Sequence, residues 1–300
     1  MRHHIHHVHP RYKKRPWSQN QQTFAAALLL LSPSLVGVIL FYLLPFVEVV
    51  RRSFTDAMGR RFVGLANYQA VWQNNAFRIA TANTVKFVGI CIPLLLGTSL
   101  ALALLIRAAG PKSRPFRSVF LLPMVIPVAS MVLLWKVLFA KAGLVNTLLD
   151  IANIEPVDFM GTNAAFWVLI ATYLWKNSGY DMILWIAGLD RIPVAQYEAA
   201  SVDGANGWQM FWAITWPGIQ PTLALTALLS LINSFKVFRE AYLVAGAYPH
   251  QSMYLLQHLF NNWFLNLELG RITAAATLVV LVLLAVAGII LMIWRHIKNI

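Results

Sequence analysis

Long apolar runs alternate with short polar, basic connections along the chain. Six of the runs are close to the roughly 20 residues that cross a bilayer as a helix. They occupy residues 24–47, 84–106, 119–140, 165–187, 222–244 and 272–294. The pattern predicts an all-α, polytopic membrane protein with six transmembrane helices in one domain over residues 23–300, behind a polar tail over 1–22. In the first run Pro33 and Pro45 predict a kink or an end. No small-residue cleavage site follows a short apolar core there, so this run reads as a retained span.

The longest polar interruption of the second half separates the fourth run from the fifth. From Ile192 to Pro221 it reads IPVAQYEAASVDGANGWQMFWAITWPGIQP. Its Ala, Gln, Glu and Met favour helix over loop. Pro193 suits a first helical turn, Asp203-Gly204 a stop, and a second helical run starts at Trp208. Two short helices are thus expected over about residues 188–220, bracketed by Pro193, Pro217 and Pro221. Ala199 and Ala200 leave a face that another backbone can approach closely, while Glu198 and Asp203 offer charge for pairing. The stretch reads as a docking surface.

Composition removes the soluble alternatives. Of 300 residues 59% are hydrophobic and only 12% charged, which no soluble domain of this size requires. The net charge of +13 comes from basic residues that flank apolar runs, so it points to lipid head groups and membrane orientation, not to nucleic acid. Counting Lys and Arg with the N-terminus inside gives about twelve in cytoplasmic segments and about seven outside, which favours that orientation without deciding it. Five histidines in the tail, His3, His4, His6, His7 and His9, lack the Cys or acidic partners that would complete a metal site. Cys91 is the single cysteine and lies in an apolar run. No phosphate-cradling G-x-x-x-x-G-K-[ST], no G-x-S-x-G elbow and no zinc-binding His/Glu helix pair occurs, so an enzyme, and an ATPase in particular, is not expected.

Glu198-Ala199-Ala200, Asp203-Gly204-Ala205, Gln209, Phe211, Ile214 and Pro217 together resemble the EAA loop of bacterial ABC-importer permeases, in the form typical of the carbohydrate-uptake branch. Trp216 stands where leucine is common in that pattern. The resemblance implies that the loop is cytoplasmic and that Glu198, Ala199, Ala200, Asp203, Gly204 and Ala205 couple the chain to an ATPase. It also implies a second, homologous permease subunit, two ATP-binding cassette subunits, an extracytoplasmic solute-binding protein and a sugar or oligosaccharide as substrate. Both termini would then be cytoplasmic, in a bacterial inner membrane. No cofactor is expected on this chain, with ATP and Mg on the partner subunits. Residues 48–82 form a polar connection in which the stretch SFTDAMGRRFVGLANYQAV, residues 53–71, resembles the external segment that follows the first core helix in sugar permeases; the alternative is an amphipathic loop on head groups.

Polar residues inside apolar runs are the remaining signal, because a charge at the bilayer centre costs about 2.5–3.5 kcal/mol on insertion scales. The fourth run carries Lys176, Asn177, Ser178, Tyr180 and Asp181, and the fifth carries Ser230, Asn233, Ser234 and Phe235, followed by Lys236, Arg239 and Glu240. Two readings stand side by side, a substrate pathway and charge neutralisation through Lys176–Asp181 and Lys236–Glu240 pairs. By the resemblance, Asn177, Tyr180, Ser230, Asn233, Ser234 and Phe235 line a translocation path. The alternative function is an ion-coupled secondary transporter or channel that uses Lys176, Asp181 and Glu240 as a relay.

Overall fold

The computed structural model describes residues 18–298, and over them the chain is helical apart from its connections and an isolated antiparallel bridge between Thr55 and Phe62. The tail expected over 1–22 lies outside the described residues up to position 17. In chain order the helices are α1 (Ser18–Val38), α2 (Leu44–Ser53), α3 (Ala66–Gln73), α4 (Asn75–Ala108), α5 (Arg114–Val125), α6 (Val128–Leu138) and α7 (Leu144–Ile151). They continue with α8 (Ala164–Leu189), α9 (Val194–Val202), α10 (Gly207–Met210), α11 (Trp216–Ser234), α12 (Phe238–Ala245), α13 (Leu256–Leu265) and α14 (Leu269–Lys298).

Among the described residues four helical stretches are long and apolar enough to cross a membrane, namely Leu29–Ser53, Asn75–Ala108, Gly207–Ala245 and Leu269–Ile293. A fifth follows if the bent pair Pro115–Val125 and Val128–Leu138 is counted as one crossing. The single straight span expected over 119–140 is therefore corrected to two helices meeting at 93°. Its cause is Pro127, which has no N–H to donate and pushes the preceding residue out of the helical region. Ile126 accordingly adopts φ −64, ψ 126.

Prolines elsewhere are absorbed without a break. Pro45 and Pro217 each follow a five-residue π-turn, Ile39–Leu43 and Phe211–Thr215, whose closing N–H groups, from Leu44 and Trp216, reach back to Ile39 and Phe211. A proline in a regular helix presses its ring on the carbonyl four residues earlier, and the wider turn relieves that clash. The first helix consequently runs on to Ser53 and does not stop at Pro45. Pro217 and Pro221 likewise do not close the second docking helix. It is the near end of the helical stretch Gly207–Ala245, so α9 alone is a free-standing short helix, which corrects the expected pair.

α8 is the centre of the fold and packs against α4, α5 and α11. Its 26 residues span about 39 Å, and its midpoint is polar. Gly179 makes the closest approach: a Cβ there would lie 1.9 Å from the Phe120 carbonyl oxygen on α5. On the α4 side the Trp185 indole N–H donates to Ser99 Oγ at 2.9 Å, so both buried polar atoms are satisfied. Near one end of α8 an apolar cluster joins Ile106, Trp185, Leu189, Ile192 and Ile219, which fixes the root of the docking segment to three helices.

Candidate functional site

Two irregular backbone features converge on the polar run around Lys176 at the midpoint of α8: the Pro127 elbow and the 3-10 turn Phe235–Val237 between α11 and α12. Helices that break here cannot pack flush, and a cavity of about 380 Å³ remains between them. That volume falls within the roughly 300–1,000 Å³ of small-molecule sites. Its wall is apolar from Met124 to Val128, while Thr172, Asn177 and Asn233 bring neutral hydrogen-bonding groups. Lys176, Lys236, Arg239 and Glu240 bring charge.

The ion pairing differs from both sequence-based expectations. Lys176 pairs with Glu240 across two helices, with both side chains largely buried. It does not pair with Asp181, because five residues along a helix turn through about 500° and leave the two side chains on different faces. Asp181 Oδ2 instead accepts from Ser230 Oγ at 2.7 Å. The expected i, i+4 pairing of Lys236 with Glu240 is likewise absent. The intervening 3-10 turn changes the register, so that Lys236 Nζ donates to Asn233 Oδ1 at 2.7 Å.

Of the six residues expected on a pathway, Asn177 and Asn233 line the cavity. Ser230 and Ser234 are buried within the packing of α11, and Ser234 Oγ donates to the Leu231 carbonyl. Tyr180 and Phe235 are half-buried and are not part of this cavity wall. The elbow residues were not foreseen, although Pro123 and Pro127 inside one apolar run were a visible signal.

The docking segment is built by its caps. α9 ends in a Schellman motif: Ala205 N–H bonds to the Ala200 carbonyl at 2.9 Å and Gly204 N–H to the Ser201 carbonyl at 3.1 Å. Gly204 supplies the required positive φ, +78°. Asn206 and Gln209 then form a capping box, with Gln209 N–H on Asn206 Oδ1 at 2.9 Å and Asn206 N–H on Gln209 Oε1 at 2.8 Å. No residue of α9 is buried, and Glu198, Ala199, Asp203 and Gly204 are all exposed. One contact set ties α9 inward. Arg107 Nη1 donates to the Leu189 carbonyl at 3.0 Å, with its guanidinium 5.4 Å from the Tyr197 ring centre. The Tyr197 hydroxyl lies 2.9 Å from Thr215 Oγ1. Asn206→Ala is expected to loosen this corner by about 1 kcal/mol, the usual effect of losing an N-cap. Faster amide exchange confined to residues around 207–210 is the measurement that checks it.

Residues 94–297 match the binding-protein-dependent transport system inner membrane component. The chain belongs to that family. It is 31% identical to a trehalose/maltose transport system permease protein of Thermococcus litoralis, over 79% of this chain and 82% of the relative. It is 30% identical to a sulfoquinovosyl glycerol transport system permease protein of Agrobacterium fabrum, over 90% of each. A bacterial ABC transporter importing the acidic polysaccharide alginate contains a chain of the same fold, with a TM-score of 0.80, 23% identity, and coverage of 94% of this chain and 99% of that one. This binding-protein-dependent permease is thus a multi-pass inner-membrane subunit of an ABC importer, not an enzyme. Ion-coupled secondary transport, the alternative function, is set aside.

Proposed function

We propose that this permease moves a sugar or oligosaccharide through the cavity beside α8, by alternating access driven from α9. α8 makes the reading possible, because it carries the cavity wall at its midpoint and leads through Leu189 and Ile192 into the docking helix at one end. A displacement at α9 therefore reaches the cavity through one continuous helix. Six crossings follow when α8 is counted with the four long apolar helices and the bent pair, with both termini and α9 in the cytoplasm. A second permease, two ATP-binding cassette subunits holding ATP and Mg, and an external solute-binding protein complete the importer. Glu198, Ala199, Ala200, Asp203, Gly204 and Ala205 form the ATPase docking face in this reading. The carbohydrate class is supported by the names of the two relatives and by a cavity that joins an apolar wall with amide groups, which suits the two kinds of face on a sugar ring.

Accessibility labelling tests the mechanism. Single cysteines at Asn177 and Asn233 in the assembled importer are expected to switch their labelled side between nucleotide-free and ATP-bound states, since a ligand shifts a conformational equilibrium only by binding its states unequally. Labelling indifferent to ATP removes alternating access through this cavity. Asn233→Ala is expected to weaken substrate transport about two- to tenfold, the loss of one neutral hydrogen bond.

A further inference from the structure

We infer that the cavity beside α8 selects an anionic substrate, a carbohydrate bearing a carboxylate, sulfonate or phosphate; the carbohydrate part rests on the proposed function, the charge does not. Four charged side chains line the cavity, three basic and one acidic. Glu240, the one carboxylate, is engaged by Lys176. Lys236 and Arg239 are left as exposed cations, with no carboxylate of the described residues within ion-pair distance. All eleven Asp and Glu side chains of the sequence lie between Glu48 and Glu268, inside the described part. Lys236 is held toward the cavity by its bond to Asn233 Oδ1, and that contact neutralises nothing.

A concave site with an excess of one sign concentrates ligands of the other sign. Guanidinium and ammonium groups donate to oxyanions without needing a proton from the ligand. The neighbouring neutral groups, Thr172, Asn177 and Asn233, leave room for the hydroxyls of the same molecule. Because the cations lie at a break between α11 and α12, a change in the helix bend alters their spacing, which provides a route to releasing the anion.

Solutes released by denaturing the cognate solute-binding protein, identified by mass spectrometry, give the first result. A solute carrying carboxylate, sulfonate or phosphate is expected. A neutral sugar overturns the inference and leaves the carbohydrate reading intact, whereas an anionic solute that is no carbohydrate does the reverse. The radiolabelled solute so identified then serves as the probe in proteoliposomes holding the complete importer. Lys236→Gln with Arg239→Gln is expected to lower its uptake at least tenfold, while Lys236→Arg with Arg239→Lys retains most of it. Uptake unchanged in the Gln pair overturns the inference. Should the Gln pair fail to assemble, the charge of the captured solute still decides.

Discussion

Lys176→Met is expected to remove most of the folded importer from detergent extracts, and a second change, Glu240→Met, is expected to restore it. The pair joins α8 to α12 across the cavity, and the Glu240 side chain is only 6% exposed. Removing the ammonium leaves a carboxylate buried without its counter-charge, a loss of about 3–5 kcal/mol. One oxygen of Glu240, Oε2, already lacks a hydrogen-bond partner among the described residues, and Lys236 and Arg239, on the same cavity wall, lie beyond ion-pair distance of it. Replacing both groups by apolar side chains of similar size removes the charge problem entirely, which is neutral or stabilising at many buried pairs. The yield of monodisperse complex in size-exclusion chromatography separates the cases. Equal losses in the single and double variants would show that the side chains matter for packing and not as an ion pair.

Why this pair was hidden in the sequence is instructive. Both residues stood in apolar runs, and each had a closer acid or base along the chain, Asp181 for Lys176 and Lys236 for Glu240. Spacing arguments choose among neighbours on a regular helix, and here the decisive partners sit 64 positions apart. A 3-10 turn at Phe235 breaks the periodicity on which such arguments depend. The four long apolar helices and the bent pair were legible because hydrophobicity over some 20 residues needs no knowledge of neighbours, whereas the polar α8 does not stand out by that measure. Their bends were only partly so. Pro127 produces a 93° break, while Pro45 and Pro217 are absorbed by π-turns, and the residue type alone does not tell these apart. The docking segment was readable in greater detail. Asp203-Gly204 announced a helix stop, and the observed φ of +78° at Gly204 is the physical content of that signal. What the motif concealed was its division of labour. Ala200, Gly204, Ala205 and Gln209 serve the local caps, and Glu198, Ala199 and Asp203 remain free to meet a partner.

That division makes Gly204→Val the sharpest test of coupling. No atom lies within 4 Å of a Cβ built at Gly204, so a side chain meets no steric obstacle. The penalty is conformational: a β-branched residue at φ +78° costs about 1–2 kcal/mol or more, and the chain relaxes by giving up the Schellman bonds to Ala200 and Ser201. The end of α9 then unwinds on the exposed face while the spans stay as they are, because no residue of α9 is buried. A misplacement worth 1–2 kcal/mol in the docked state corresponds to about a 5- to 30-fold loss of coupled transport. Glu198→Lys is expected to reach a similar loss by another route, reversing the charge of an exposed side chain and leaving the fold of α9 untouched. In proteoliposomes both variants should insert normally and show reduced substrate uptake per ATP hydrolysed, or fail to retain the ATPase during purification. Normal uptake and normal ATPase retention in both would remove α9 as the docking element and place the coupling contact elsewhere on the cytoplasmic surface.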